Sequence, residues 1–246
     1  MPICNGVLEE ARRLIEVGAS KGLTMRLLGG LAVAIHSPSA AHRALARSYP
    51  DIDLVVPARS QEAVEQILTA EGYEANMRFN TLSEGRQLYY DRERGRQVDV
   101  FIGGFQMCHK LPVADRLHLE PLTLPLAELF LTKAQIVSLN RKDVLDLVAL
   151  LLDHPPGHGD EETINQDLIA GLCAHDWGLY TTLTMNLQKV DGILAQGGTA
   201  LEEAQVAVVR ERVAALLAAM DGAPKSLAWK MRARMGTRVR WYDEVE

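Results

Sequence analysis

Asp51 and Asp53 are separated by one residue, and they interrupt a run of apolar residues that continues to Val56. Alternate side chains of a β-strand point to the same face, so a strand here would place the two carboxylates side by side. Such carboxylates repel each other, and a cation between them relieves the repulsion; Mg²⁺ prefers a few carboxylates together with waters and substrate phosphates. The alternative is a solvent-facing edge strand after a turn at Pro50, and for a single Asp-x-Asp this alternative is the more common one.

A third acid, Asp99, lies within another apolar run, Gln97–Ile102, where a carboxylate has little access to solvent unless it lines a cleft. If the two strands are neighbours, Asp51, Asp53 and Asp99 converge. Three converging carboxylates can hold two Mg²⁺ ions, which clamp the attacking and leaving oxygens of a phosphoryl displacement.

The pair Gly29–Gly30 lies where a predicted strand meets a predicted helix. Glycine has no Cβ, so backbone N–H groups at such a turn can approach a phosphate closely, with the helix N-terminus behind them. An ordinary turn is the alternative, and the pair alone does not decide between the two.

Hydrophobic periodicity predicts the elements that must position these residues. Before Pro125 the pattern indicates five short strands and three helices, with a surface loop or irregular helix over 36–50. After Pro125 the spacing is helical, apart from a linker at Pro155–Gly159. The predicted strands are 25–28, 51–56, 73–79, 86–90 and 97–102, and the predicted helices are 7–15, 31–35, 61–71, 126–154, 164–176, 179–196 and 200–220. We therefore predict an α+β fold, with an N-terminal domain over 1–122 that contains a mixed β-sheet and an all-helical domain over 123–246.

Together, these motifs resemble the nucleotidyltransferase superfamily, which has a DNA polymerase β-like fold. Its signature is a strand, a Gly-Gly or Gly-Ser pair, a short helix, Asp-x-Asp on the next strand and a third aspartate on a later strand. The matching residues are Gly29–Gly30, Asp51, Asp53 and Asp99, and Arg47 matches the R-x-x-x-D-x-D form of the superfamily. The gap from Gly30 to Asp51 is longer than usual, which predicts an inserted loop, and Gly30 replaces the serine of the Gly-Ser form.

The helical continuation is similar to one branch, the abortive-infection-type nucleotidyltransferase toxins. Glu128 and Lys133 match an E-x4-K motif, and Lys142–Leu147 matches K-D-x-x-D-L. Asp176–Leu179 also resembles that branch, while Asn140 stands where an arginine is common. The resemblance covers roughly residues 25–190.

The resemblance implies a Mg²⁺-dependent enzyme that moves a nucleoside monophosphate from an NTP to an acceptor hydroxyl and releases pyrophosphate. It implies two Mg²⁺ ions bound by Asp51, Asp53 and Asp99, with Asp99 also a candidate base for the acceptor hydroxyl. It implies nucleotide binding by Gly29, Gly30, Arg47, Lys133 and Asp143. From the residues alone, Lys133 is a solvated helix lysine, Asp143 is as often a helix N-cap, and Arg47 is a loop residue.

The acceptor stays open at this point. A toxin-like enzyme would modify tRNA or a protein, and an antitoxin partner would then be expected. A resistance-like adenylyltransferase would modify a hydroxyl of a small antibiotic. A different class altogether is a catalytically silent nucleotide-binding or interaction protein, although a decayed site would be expected to lose at least one of its acids.

Composition limits the remaining classes. The formal net charge is −6, which argues against a wholly basic protein that coats nucleic acid. The hydrophobic content of 48% is that of an ordinary globular chain, and no apolar run approaches the length of a membrane span. Three cysteines and no apolar signal core predict a cytoplasmic protein without a disulfide framework.

The C-terminal segment is locally basic. Between Lys225 and Arg240 it carries six basic residues and no acid, with Trp229, Trp241 and Tyr242 among or just after them. Such a segment can bind an RNA backbone and stack its bases. Tryptophans that pack on the body of the protein, with the basic groups in solvent, explain it equally well.

Overall fold

Five strands in one mixed sheet and a set of helices make up most of the computed structural model, which describes residues 5–83 and 85–244. The helices are α1 (Asn5–Ser20), α2 (Gly29–His36), α3 (Gln61–Ala70), α4 (Met77–Leu82), α5 (Leu126–Ala134), α6 (Arg141–Asp153), α7 (Gln166–His175), α8 (Trp177–Ala195), α9 (Glu203–Gly222) and α10 (Leu227–Met235). The strands are β1 (Arg26–Leu28), β2 (Ile52–Val56), β3 (Glu74–Ala75), β4 (Arg86–Asp91), β5 (Arg96–Ile102), β6 (Phe105–Gln106), β7 (Lys110–Leu111), β8 (Pro156–Gly157) and β9 (Ile164–Asn165).

The main sheet has the strand order β1-β2-β5-β4-β3. β2 and β5 are parallel, and the other neighbouring pairs are antiparallel. β2 and β5 lie in the interior of the sheet, and strands buried on both faces are expected to be almost continuously apolar. Their fully buried members include Ile52, Leu54, Val55, Val56, Val98 and Val100. The aspartates of these strands are therefore exceptions that need a local explanation.

The helical half is packed directly onto the sheet half. α2 contacts α5 and α6, α6 contacts α9, and α7, α8 and α9 pack on one another. Leu27 of β1 donates its N–H to the carbonyl of Leu122 and accepts from the N–H of Leu124, each at 2.8 Å. The predicted boundary between residues 122 and 123 thus falls within a segment that pairs with β1, and one buried hydrophobic cluster includes side chains from both halves. The division into two domains stays a prediction.

Most predicted elements are confirmed, so the fold is α+β with a mixed sheet followed by helices. The strand predicted over 73–79 is wrong beyond Ala75. The side chain of Asn76 accepts a hydrogen bond from the N–H of Phe79 at 3.1 Å, and this N-cap starts α4 instead. The linker predicted at Pro155–Gly159 is also wrong in part, because β8 lies within it and pairs with β9.

The helical spacing over 126–154 corresponds to two helices, α5 and α6. The side chain of Asn140 accepts hydrogen bonds from the N–H groups of Lys142 and Asp143, at 2.8 and 3.1 Å, and so begins α6. This gives Asn140 a structural role that an arginine, with no side-chain acceptor, would not fill. The alternative in which Asp143 is the N-cap is wrong.

The tryptophans of the C-terminal segment pack on the helical half. Trp241 donates from Nε1 to Oγ1 of Thr182 at 3.0 Å and lies edge-on to Trp177. Trp229 lies edge-on to Tyr180. This is the packing predicted by the second of the two alternatives, and binding of RNA by the basic groups stays a prediction.

No helix within residues 5–83 and 85–244 has both the length and the apolar character needed to span a bilayer. Cys108 and Cys173 are buried free thiols, and Cys4 lies outside the described residues.

Candidate active site

Asp53 and Asp99 are direct neighbours across the parallel pair β2 and β5. Asp53 is also the register partner of Leu28, the last residue of β1, so it lies where β1 gives way to α2. Asp99 is buried, with 4% of its surface exposed, and Asp53 is partly buried. Asp51 precedes β2 and is exposed, so the strand predicted from residue 51 begins one residue later.

A cavity of about 300 Å³ opens beside these two aspartates. Its walls come from the end of β1, the start of α2, the strands β2, β4 and β5, and the region from α5 to the start of α6. The lining residues are Leu28, Gly29, Asp53, Arg86, Asp99, Phe101, Phe105, Met107, Thr132, Lys133, Ile136, Asn140 and Asp143. The cavity is therefore apolar on one part of its wall and highly charged on another.

The glycine pair makes room for two charged side chains. Gly29 has φ of +71°, and a Cβ at this position would lie 1.9 Å from Oδ2 of Asp53. A Cβ on Gly30 would lie 1.9 Å from Nη2 of Arg47. The absence of serine at residue 30 therefore has a structural reason, because any side chain there would displace the Arg47 guanidinium. The turn also starts α2 at the cavity, with the N-terminal end of the helix facing it.

Arg47 and Lys133 share one buried carboxylate. Arg47 donates from Nε and Nη2 to the two oxygens of Asp146, at 2.8 and 2.6 Å, and its guanidinium lies 4.2 Å from the centre of the Tyr49 ring. Nζ of Lys133 lies 2.9 Å from Asp146 and 3.7 Å from Asp143. The residues alone had suggested that both cations are solvated surface groups, and the structure shows that neither is. Of the two, Lys133 reaches the cavity wall, together with Asp143.

Arg86 was not identified from the sequence, although it lies in the centre of the site. Its Nε donates to both oxygens of Asp99, at 2.8 and 3.0 Å, and its Nη2 donates to Oδ2 as well. The contact between Arg86 and Asp99 could have been predicted from the hairpin formed by β4 and β5. Leu88 pairs with Asp99, so Arg86, two residues earlier, lies diagonally across from Asp99 on the same face.

Glu128 is not part of this cleft. Residues five apart on a helix differ in direction by about 140°, so the E-x4-K spacing places Glu128 and Lys133 on different faces of α5. Glu128 is 3% exposed, pairs with Arg116 and lines a separate recess. Only the lysine of the motif can meet a ligand in the cavity.

The site has a strong electrostatic imbalance at Asp53. Burial, followed by the charge of Asp99, raises the pKa of Asp53 to about 7, and nearby Lys133 opposes this. The hydrogen bonds to Asp99 raise the pKa of Arg86. Asp99 thus has a matched counter-charge, while Asp53 has none in direct contact among the described residues.

In the described part of the chain, the predicted ligands Asp51, Asp53 and Asp99 are not grouped into a site for two magnesium ions. Among residues 5–83 and 85–244, no three acidic, histidine or cysteine side chains are grouped to hold a metal. Both oxygens of Asp99 are already bound to Arg86. Asp53, which has no counter-charge in direct contact, is the acid of the three that a divalent cation would stabilise most.

Comparison with known proteins identifies the family of the chain. The model of a family described as uncharacterised nucleotidyltransferase matches residues 5–163. The chain belongs to this nucleotidyltransferase family. The matched range contains β1, α2, β2, β5, α5 and α6, and hence every residue that lines the cavity.

One solved structure similar to this nucleotidyltransferase is an antigenic nucleotidyltransferase-like protein from Paracoccidioides brasiliensis. The two are 14% identical, and the match covers 89% of this chain and 96% of the other, with a TM-score of 0.41. At that TM-score the likeness adds nothing to the family match. No curated protein matches the chain. The abortive-infection branch is supported by none of these matches and stays a prediction.

Proposed function

We propose that this protein transfers a nucleoside monophosphate from a Mg²⁺-bound NTP to an acceptor hydroxyl and releases pyrophosphate. The observation that carries the proposal is the pairing of Asp53 with Asp99 beside the start of α2, in the same cavity as Lys133. A nucleoside triphosphate needs a cation site, donors for its phosphates and an apolar surface for its base. The described cavity wall offers residues for each of these needs.

The proposed roles follow from position. Asp51 and Asp53 would hold the magnesium ion, which supplies positive charge to the phosphates when it is bound. The backbone N–H groups at the start of α2, from Gly29 onward, and the ammonium of Lys133 would donate to phosphate oxygens. Asp99 would lie closest to the acceptor oxygen and accept its proton.

In the proposed step, a bond forms between the acceptor oxygen and the α-phosphorus, and the bond from that phosphorus to the β-phosphate oxygen breaks. The acceptor proton would pass to Oδ1 of Asp99, which accepts one hydrogen bond from Arg86 and keeps a lone pair, and then to solvent, and pyrophosphate leaves. Charge that grows on the α-phosphate and the leaving group is stabilised by the fixed positive groups around them.

The acceptor class remains a proposal with three members: tRNA, a protein and a small molecule such as an antibiotic. A tRNA or protein acceptor, an antitoxin partner and a cytoplasmic location rest on the toxin-branch resemblance and on the composition of the chain. The second candidate function is a catalytically silent nucleotide-binding protein. It is favoured by one observation, since Asp99 is fully paired with Arg86.

Calorimetry with Mg²⁺ and each NTP in turn tests nucleotide binding. We expect one NTP to bind only with Mg²⁺ present and Asp53→Ala to abolish that binding. Labelled NTP incubated with total tRNA, protein extract or aminoglycosides then separates an enzyme from a silent binder. Asp99→Ala should abolish labelling and keep the fold, whereas the control Asp115→Asn, at an exposed acid outside the cavity, should label normally. Normal labelling by Asp99→Ala would contradict its assignment.

A further inference from the structure

Arg86 presents one edge of its guanidinium to Asp99 and leaves another nitrogen free. Nε and Nη2 are both used by the two oxygens of Asp99. The contact of Nη1 is to Sδ of Met107 at 3.9 Å, and a thioether sulfur is a weak acceptor. Within residues 5–83 and 85–244, no oxygen accepts a hydrogen bond from Nη1.

Arg86 lies at the junction of two recesses. Arg86 and Met107 line the cavity of about 300 Å³ and also a neighbouring recess of about 500 Å³. The guanidinium lies 5.1 Å from the centre of the Phe101 ring and 5.6 Å from that of Phe79. Two aromatic rings and the pair with Asp99 fix its orientation, so Nη1 is a preorganised donor.

The pairing with Arg86 changes what Asp99 can bind. A second metal ion in a two-metal phosphoryl-transfer site would have to bind Asp99 next to the permanent positive charge of Arg86, which repels it. Both oxygens of Asp99 already accept charge-assisted hydrogen bonds from a planar, permanently charged group. A second ion at Asp99 would first have to break this partly buried ion pair, in which 5% of the Asp99 side chain and 27% of the Arg86 side chain are exposed.

We propose that the guanidinium of Arg86 takes the place of a second metal ion in this site, and this rests on the function proposed above. One edge of the guanidinium fixes Asp99, and Nη1 donates to a non-bridging oxygen of the α-phosphate. The cavity of about 300 Å³ would take the nucleotide, and the neighbouring recess would take the acceptor. The planar fork of an arginine presents separate, fixed edges to the two partners, whereas the ammonium of a lysine is a compact point charge without this geometry. A single Mg²⁺ ion then suffices, at Asp51 and Asp53.

The count of bound metal ions tests this without turnover. The probe is Mn²⁺ with α,β-methylene-ATP, which binds as a nucleotide but cannot transfer its α-phosphoryl group, and electron paramagnetic resonance reports the Mn²⁺ bound by the full chain. We expect one Mn²⁺ per chain at saturation. Two ions bound in the presence of the nucleotide analogue would overturn the inference. If neither the ion nor the analogue binds, the proposed function itself fails, which is a distinguishable result.

Substitution of Arg86 tests its contact with the nucleotide. At saturating Mn²⁺, Arg86→Gln is expected to bind α,β-methylene-ATP about 10- to 100-fold more weakly, because it removes a charged donor to a phosphate. Arg86→Lys keeps the charge and should not restore the affinity. The matched control is Arg96→Gln, which removes a guanidinium from the other end of the same strand pair, next to Glu10 and outside the cavity. Wild-type affinity in Arg86→Gln would overturn the inference, and the metal count of the wild type stands even if that variant fails to fold.

Discussion

The substitution Gly29→Ala would displace the carboxylate of Asp53, the proposed metal ligand, without replacing that residue. Gly29 has φ of +71°, and its added Cβ would lie 1.9 Å from Oδ2 of Asp53. Ordinary contact begins at 3.4 Å, so the carboxylate oxygen or the start of α2 must move by about 1.5 Å. A displacement of that size at a reacting group costs on the order of 100-fold in activity.

The stability cost has two parts that a control separates. An alanine in the left-handed region costs about 1–2 kcal/mol, and overpacking of a filled site adds about 1–3 kcal/mol. Gly22 has φ of +78°, and nothing lies within 4 Å of the position that an added Cβ would take, so Gly22→Ala carries only the first part. For a chain of this size each kcal/mol lowers the melting temperature by about 2–4 °C.

The assay is urea unfolding of both variants together with calorimetry of Mg²⁺ and α,β-methylene-ATP. Gly29→Ala should be the less stable variant by about 1–3 kcal/mol. It should also lose most of its affinity for the Mg²⁺-bound nucleotide, while Gly22→Ala binds as the wild type does. Equal binding by the two variants would refute the reasoning that the glycine exists to admit Asp53.

Two further predictions concern ion pairs outside the metal site. Asp146→Asn is expected to lower the free energy of unfolding by about 3 kcal/mol, since it leaves Arg47 and Lys133 without their shared counter-charge; a urea unfolding curve identical to that of the wild type would contradict this. The hydrogen bond from Arg13 lowers the pKa of Glu10 to about 2 from its ordinary 4.5, so its ionised form stabilises the fold fully above pH 4.5, and this stabilisation is lost as the pH falls towards 2. Glu10→Gln should therefore cost about 1–2 kcal/mol at pH 7 and almost nothing near pH 2, and a pH-independent difference in unfolding free energy would show the pairing to be unimportant.

The sequence predicted the parts of the site that depend on local pattern. The spacing of Asp51 and Asp53 predicted a strand, and the apolar run around Asp99 predicted its neighbour; the register then brings Asp53 and Asp99 together. Asp51 lies just before the strand. The sequence did not predict this, because a pattern of alternating residues does not locate the first residue that pairs. A boundary of this kind depends on hydrogen bonds between strands that are distant in the chain.

The sequence did not predict which side chains form ion pairs with the charged residues of the site. Arg47 lies in a segment predicted as a loop, yet its contact is Asp146 on α6, 99 residues later in the chain. Arg86 was passed over because an arginine at the start of a strand has no pattern of its own. The pair of Arg47 with Asp146 requires α6 to pack beside the sheet half, and the pair of Arg86 with Asp99 requires the register of β4 on β5; residue spacing alone defines neither.

The most direct test of the central claim follows two labels of the same NTP. The protein is incubated with Mg²⁺, a mixture of tRNA and protein acceptors or aminoglycosides, and an NTP labelled at either the α- or the γ-phosphate. We predict that the α-label becomes attached to an acceptor while the γ-label appears only in pyrophosphate. With Asp53→Asn, we predict no α-label on an acceptor and no labelled pyrophosphate. Transfer of the γ-label to an acceptor, or α-label transfer undiminished in Asp53→Asn, would contradict the account.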